Sequence, residues 1–126
     1  MLMLVLAWVT MATLVVADGG IDSYGPPSAV ADHWVIVSYD VVEDDPAMMQ
    51  LLDTELTADA ALQAAGVGAI DGNEVGQGVY DMYFFGTDRE AMWAIIEPIL
   101  DDAPAEWTKA ELRDGLDDDA PIIVEP

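Results

Sequence analysis

Residues 68–85 read GAIDGNEVGQGVYDMYFF, and the fold turns on how this stretch is read. Gly68 to Val75 and Val79 to Phe85 have the composition of two strands, joined by Gly76-Gln77-Gly78. Glycine in a three-residue connection supplies the positive φ that a tight hairpin needs. Just beyond, Thr87-Asp88-Arg89-Glu90 is a capping box. In such a box the Thr87 hydroxyl and the Glu90 carboxylate satisfy the first free amides of a helix. That helix runs to about Leu100 and places Ala91, Met92, Ile95, Ile96 and Ile99 on one buried face. Pro98 removes one backbone bond and kinks the last turn.

Upstream, His33 to Val42 (HWVIVSYDVV) is rich in β-branched and aromatic residues and reads as a central strand. Glu43-Asp44-Asp45-Pro46 ends it. Pro46 suits the first turn of a helix, and the three carboxylates complement that helix's positive end. The helix extends to about Ala65, with Met48, Leu52, Leu56 and Ala60 at helical spacing and Gly66 as its left-handed terminator. Downstream, Glu106 to Arg113 alternates as a final strand, Asp117-Asp118-Asp119 is a solvated turn, and Ile122-Ile123-Val124 is a short edge strand or packed tail. The order is β-α-β-β-α-β, the ferredoxin-like pattern. The expected fold is α+β, an antiparallel sheet with two helices on one face. The opposite face must be solvated, or covered by a partner, the tail or a ligand.

The chain carries 25 Asp and Glu against three Lys and Arg, a formal charge of −22 on 126 residues. Such a surface repels nucleic acid and anionic membranes, so neither is an expected partner of the domain. Hydrophobic residues make up 53% of the chain, enough to build a core, so an acidic disordered segment is not the reading. Asp far outnumbers Glu and Lys109 is the only lysine. That balance resembles the proteins of salt-accumulating halophiles. Cysteine is absent, which removes disulfides, thiolate metal sites and a Cys nucleophile.

Residues 1–17, MLMLVLAWVTMATLVVA, hold no charged side chain. As a helix they would span about 25 Å. An atypical signal peptide, a short membrane anchor and a start-site extension all fit this segment. The protein is exported or membrane-anchored if Met1 is the true start, and cytoplasmic otherwise. Residues 18–32, with Gly19-Gly20, Gly25 and Pro26-Pro27, read as a linker. Residues 33–126 form the domain.

From Gly66 to Leu100 the chain resembles a family of small uncharacterised bacterial proteins. The features that carry the resemblance are an Ala-rich helix ending in Gly, then D-G-N-E-x-G-x-G, an aromatic strand, and an amphipathic helix with an internal Pro. Here these are Asp71, Gly72, Asn73, Glu74, Gly76, Gly78, Tyr83, Gly86, Asp88 and Pro98. The resemblance implies the same α+β fold and transfers no catalytic residue.

Two sets of side chains are candidate sites. Asp71, Asn73, Glu74 and Asp81 cluster around the hairpin and offer oxygen ligands to Ca²⁺ or Mg²⁺. The EF-hand spacing fails, and Asp-Gly and Asn also serve simply to set a turn. The second set rests on strand parity. Trp107, Lys109, Glu111 and Arg113 share one parity of the last strand, and Trp34 and Ile36 one parity of the first. Together Trp34, Trp107, Lys109 and Arg113 would give the open sheet face two Trp and two of the three basic residues, suited to a partner or ligand. Gly76-Gln77-Gly78 lacks the third glycine of a dinucleotide loop and the Lys-Ser/Thr of a phosphate loop. His33, the only histidine, has no serine placed to complete a triad. No cofactor is expected, and the metal question stays open.

These features point first to a non-enzymatic, salt-adapted acidic domain acting through protein contacts, as a homodimer across the open sheet face. Two other classes fit the composition. One is an immunity or inhibitor-type protein that occupies a basic nuclease or toxin. The other is a small carboxylate- and metal-dependent enzyme.

The charge generates a prediction about salt. Setting aside Asp18, Asp22 and Asp32 leaves 22 acidic and three basic residues from His33 onward, a net −19. The Debye length is about 30 Å at 0.01 M salt and about 3 Å at 1 M, so repulsion across the domain is felt at the first and screened at the second. Thermal melts should therefore rise strongly from about 0.01 M to about 1 M KCl. A melting temperature that is flat or falls with salt contradicts the repulsion argument.

Overall fold

The computed structural model describes residues 32–42 and 45–126. The expectations for residues 1–17, for Glu43 and Asp44, and for all but the last residue of the 18–32 linker lie outside them. The elements are β1 (His33–Asp40), α1 (Ala47–Ala65), β2 (Gly68–Gly76), β3 (Val79–Gly86), α2 (Arg89–Asp102), β4 (Lys109–Asp114) and β5 (Ile122–Val124). They build an α+β domain with one five-stranded antiparallel sheet, in the order β2-β3-β1-β4-β5. The β-α-β-β-α-β order partly fits the ferredoxin-like pattern, and β5 is an added edge strand beside β4. No helix among the described residues is long and apolar enough to cross a membrane.

β1 sits at the centre and is the most buried strand. Val35, Val37 and Tyr39 face the helices, and even Ile36 and Ser38 on the opposite side are only 9% exposed. β3 alternates strictly, with Tyr80, Met82 and Phe84 buried between half-exposed neighbours. Ala110 and Leu112 extend the same layer from β4. Leu51, Ala58 and Leu62 of α1 and Met92, Ile96 and Leu100 of α2 close it from above, so both helices lie on one sheet face. These fully buried side chains supply the main driving force for the fold, each contributing about 1.5–3 kcal/mol for the large apolar ones.

Several local expectations are corrected. The hairpin loop has two residues, because Gly76 already pairs with Val79. Gln77 (φ 54°) and Gly78 (φ 80°) both take positive φ, the twist-matched primed turn. The α2 cap is Asp88 and not Thr87: its carboxylate accepts from the amides of Glu90 (3.0 Å) and Ala91 (3.1 Å). A carboxylate on the positive end of the helix is favoured over a neutral hydroxyl. α1 is rotated from the expected face. Leu52, Leu56 and Ala60 are exposed, and the inward line is Leu51, Thr54, Glu55, Ala58 and Leu62. The apolar spacing of Leu52 and Leu56 gave way because Glu55 finds buried partners. The C-terminal end of α1 behaves as read: Gly66 is left-handed (φ 72°), and the Val67 amide donates to the Leu62 carbonyl at 3.1 Å.

The crossing of β2, β3 and α2 is close. A Cβ on Gly86 would collide with the Val67 carbonyl oxygen and come within 2.9 Å of the Gly68 Cα. Both are backbone atoms, so they cannot rotate away. Gly86→Ala should lower stability by about 1–3 kcal/mol, the range for overpacking. Urea melts that leave the midpoint unchanged would show that this approach is looser than described.

Candidate functional site

The sheet's uncovered face is built from the alternate residues of each strand. β1 contributes Trp34, Ile36, Ser38 and Asp40, β3 contributes Val79, Asp81, Tyr83 and Phe85, and β4 contributes Lys109, Glu111 and Arg113. Ile36, Ser38, Asp81, Tyr83, Lys109 and Glu111 line a concavity of about 570 Å³ in its middle, with Leu116 at the rim. Trp34 and Phe85 stack at one end with ring centroids 5.7 Å apart.

Most polar groups on this face are paired within the chain. The Ser38 hydroxyl donates to Asp81 Oδ1 at 2.5 Å, and the Tyr83 hydroxyl donates to Glu74 Oε1 at 2.7 Å. Glu111 lies between two cations, with Lys109 Nζ at 2.8 Å and Arg113 Nη2 at 2.6 Å. Burial raises the Glu111 carboxyl, but the hydrogen bonds and charges of Lys109 and Arg113 outweigh it and hold the group below its usual range. Arg113 also donates to the carbonyls of Leu116 (3.0 Å) and Asp118 (2.7 Å), tying the turn after β4 to the strand. Asp118 accepts from the amides of Asp114 and Ala120, both at 2.9 Å, and these bonds lower its carboxyl. The third cation, Arg89, reaches the same turn through Asp118 at 3.4 Å. The chain's few positive charges are thus gathered on β4 and its flank. The sheet face sets Lys109 and Arg113 against Asp40, Glu74, Asp81 and Glu111, so it holds two of the three cations of a strongly negative molecule.

Three of the four residues read as a partner face lie here: Trp34, Lys109 and Arg113. Trp107 does not. Regular strand begins only at Lys109, so parity does not carry back to Trp107. Its side chain is 5% exposed on the helix side, packed edge-on against Trp93 with centroids 5.2 Å apart, and its indole N–H donates to Asp101 Oδ1 at 3.4 Å. Phe85 and Tyr83 supply the aromatic surface that Trp107 was expected to give. The period-two alternation of β3 is the signal that identifies them.

The second set is split by the sheet. Asp71 sits in a bulge between Ile70 and Gly72, Glu74 and Asp81 stand opposite each other on the open face, and Asn73 points to the helix side. Among the described residues no three His, Cys, Asp or Glu side chains are placed to hold a metal ion. Asn73 has a structural partner that the sequence did not reveal. Its side-chain amide donates to both oxygens of Glu55 at 3.1 and 3.2 Å, and the Tyr80 hydroxyl donates to Glu55 Oε1 at 2.9 Å. Glu55 is 6% exposed, so these donors replace the water lost on burial. His33 is likewise structural: its Nδ1 accepts from the Arg89 amide at 3.1 Å, and Nε2 lies 3.4 Å from Asp114.

No family model, curated protein or solved structure matches the chain.

The two buried phenols opposite each other on β1 and β3 give a prediction. Tyr80 donates to Glu55, whereas the Tyr39 hydroxyl is buried with no partner among the described residues. Tyr80→Phe should cost about 1–3 kcal/mol by stripping a donor from a buried charge, and Tyr39→Phe should be neutral or stabilising. Burial pushes Tyr39 from 10.0 up to about 12. Burial first, then the bond and charge of Glu55, raises Tyr80 as well. A raised phenol pKa means that the folded state holds the proton more tightly. That stability is fully present below pH 10.0 and is lost as the pH climbs towards about 12. Alkaline melts should show this loss reduced in Tyr39→Phe; an unaltered alkaline transition, or a destabilised neutral one, contradicts the assignment.

Proposed function

We propose that this is a non-enzymatic acidic α+β domain of ferredoxin-like type, adapted to high salt, that acts through protein contacts and pairs with a second copy across its open sheet face. The observation that carries the reading is that this one face gathers three aromatic side chains, Trp34, Tyr83 and Phe85, and two of the chain's three basic residues. Trp34, Ile36, Tyr83 and Phe85 form an apolar and aromatic strip along β1 and β3. Lys109 and Arg113 offset two of the four carboxylates on this face, on a domain of net −19 from His33 onward. Aromatic surface that also carries cations is where two acidic copies meet at least electrostatic cost. An uncovered antiparallel sheet commonly gains from such cover. The likeness of residues 66–100 to a family of small bacterial proteins supports the fold part of this reading, and the domain's charge supports partners other than nucleic acid.

Size-exclusion chromatography with light scattering over a KCl series tests it. A dimer that strengthens with salt is expected, because salt screens the repulsion between the acidic outer surfaces. A strict monomer at high micromolar concentration and every salt level sinks the homodimer reading.

A further inference from the structure

The strand register fixes how the two copies would meet, and it rests on the homodimer reading above. β1 is flanked by β3 on one side and β4 on the other. Ser38 is level with Asp81 on β3 and Lys109 on β4. Ile36 is level with Tyr83 and Glu111, and Trp34 with Phe85 and Arg113. At each of these levels one side of β1 carries a group complementary to the other side: a carboxylate against a cation, a phenol against a carboxylate, an aromatic ring against a cation.

We infer that the domain dimerises about a two-fold axis parallel to β1, with Lys109 of each copy paired to Asp81 of the partner subunit. That axis lays β3 of each copy over β4 of the other and keeps every residue at its own level, to within the roughly 30° at which packed sheets cross. Glu111 then faces Tyr83 of the partner subunit, and Arg113 faces Phe85 of the partner subunit, which suits a cation over a ring. An axis across the strands would instead lay β4 on β4 and bring Lys109 to Arg113 of the partner subunit. Like charges brought together in that way cost several kcal/mol.

A second observation supports the pairing. Glu74 and Asp81 stand directly opposite on β2 and β3, an arrangement that is unfavourable for two carboxylates. Among the described residues neither has an ion pair to a cation. Lys109, with 42% of its side chain exposed, is the least enclosed of the three cations and can leave Glu111 to Arg113. Delivered by a second copy, its charge falls on the Glu74–Asp81 pair.

The test uses two full-length chains, Lys109→Glu and Asp81→Lys, at the lowest KCl concentration at which the natural chain is folded and dimeric. Each variant alone sets like charges together twice and should weaken its own dimer by about 100-fold or more. Mixed in equal amounts they restore both pairs, and a heterodimer within about tenfold of the natural affinity is expected. Two variants that each keep the native near-ultraviolet spectrum yet form no heterodimer overturn the inference. So does Lys109→Glu dimerising more tightly, as β4-on-β4 packing requires. Carbodiimide cross-linking of the natural chain needs no substitution, because Lys109 is the only lysine. In a mixture of isotopically light and heavy chains, a mixed-isotope link from Lys109 to Asp81 is expected. Mixed-isotope links from Lys109 to Glu111 or Asp114 instead overturn the geometry while leaving a dimer in place. A natural chain that is monomeric throughout removes the homodimer reading itself, and the inference with it.

Discussion

The register of β1 is the constraint on which the rest of the molecule depends. This strand pairs with β3 and β4 along nearly its whole length, and five consecutive residues from Val35 to Tyr39 are buried. A one-residue slip would turn Val35, Val37 and Tyr39 out of the core and put Ile36 and Ser38 in their place. It would also dissolve the Ser38–Asp81 bond and the levels at which Lys109, Glu111 and Arg113 sit. Core and open face are therefore specified together, by one alternation read from its two sides.

Polar groups lock that arrangement where apolar packing alone would leave it loose. Glu55 draws Asn73 of β2 and Tyr80 of β3 towards α1, and so fixes the helix's rotation over the hairpin. Arg89 and Arg113 hold the turn after β4 through Asp118. With only three basic residues in the chain, each is committed at least partly to an internal contact. The remaining acidic surface is left to solvent, and the repulsion among its carboxylates is the energy that dissolved salt screens.

Much of the architecture was legible in the sequence because it rests on local signals. The hairpin, the strand at His33, the left-handed Gly66 and the helix before Leu100 follow from turn chemistry and periodicity. The rotation of α1 was not legible. Leu52 and Leu56 have the better apolar spacing, and only the distant Asn73 and Tyr80 make Glu55 the inward residue. Trp107 misled for a related reason: parity holds only within a regular strand, and the chain bends before Lys109. Trp34, Lys109 and Arg113 were legible as one face because each lies inside a paired strand. The four hairpin oxygens around Asp71 looked like a cluster in sequence, but alternation sends Asn73 to the face opposite Glu74 and Asp81.

We propose that the open sheet face, and no other surface, is where two copies of this protein meet. Fluorine NMR of the chain labelled at tryptophan tests it most directly. Trp34 lies on that face, whereas Trp93 and Trp107 pack against each other on the helix side. Across a dilution series from millimolar to low micromolar, the Trp34 resonance should shift with concentration while those of Trp93 and Trp107 stay in place. A Trp34 resonance that holds still while the chain associates, or a shift confined to Trp93 and Trp107, would contradict it.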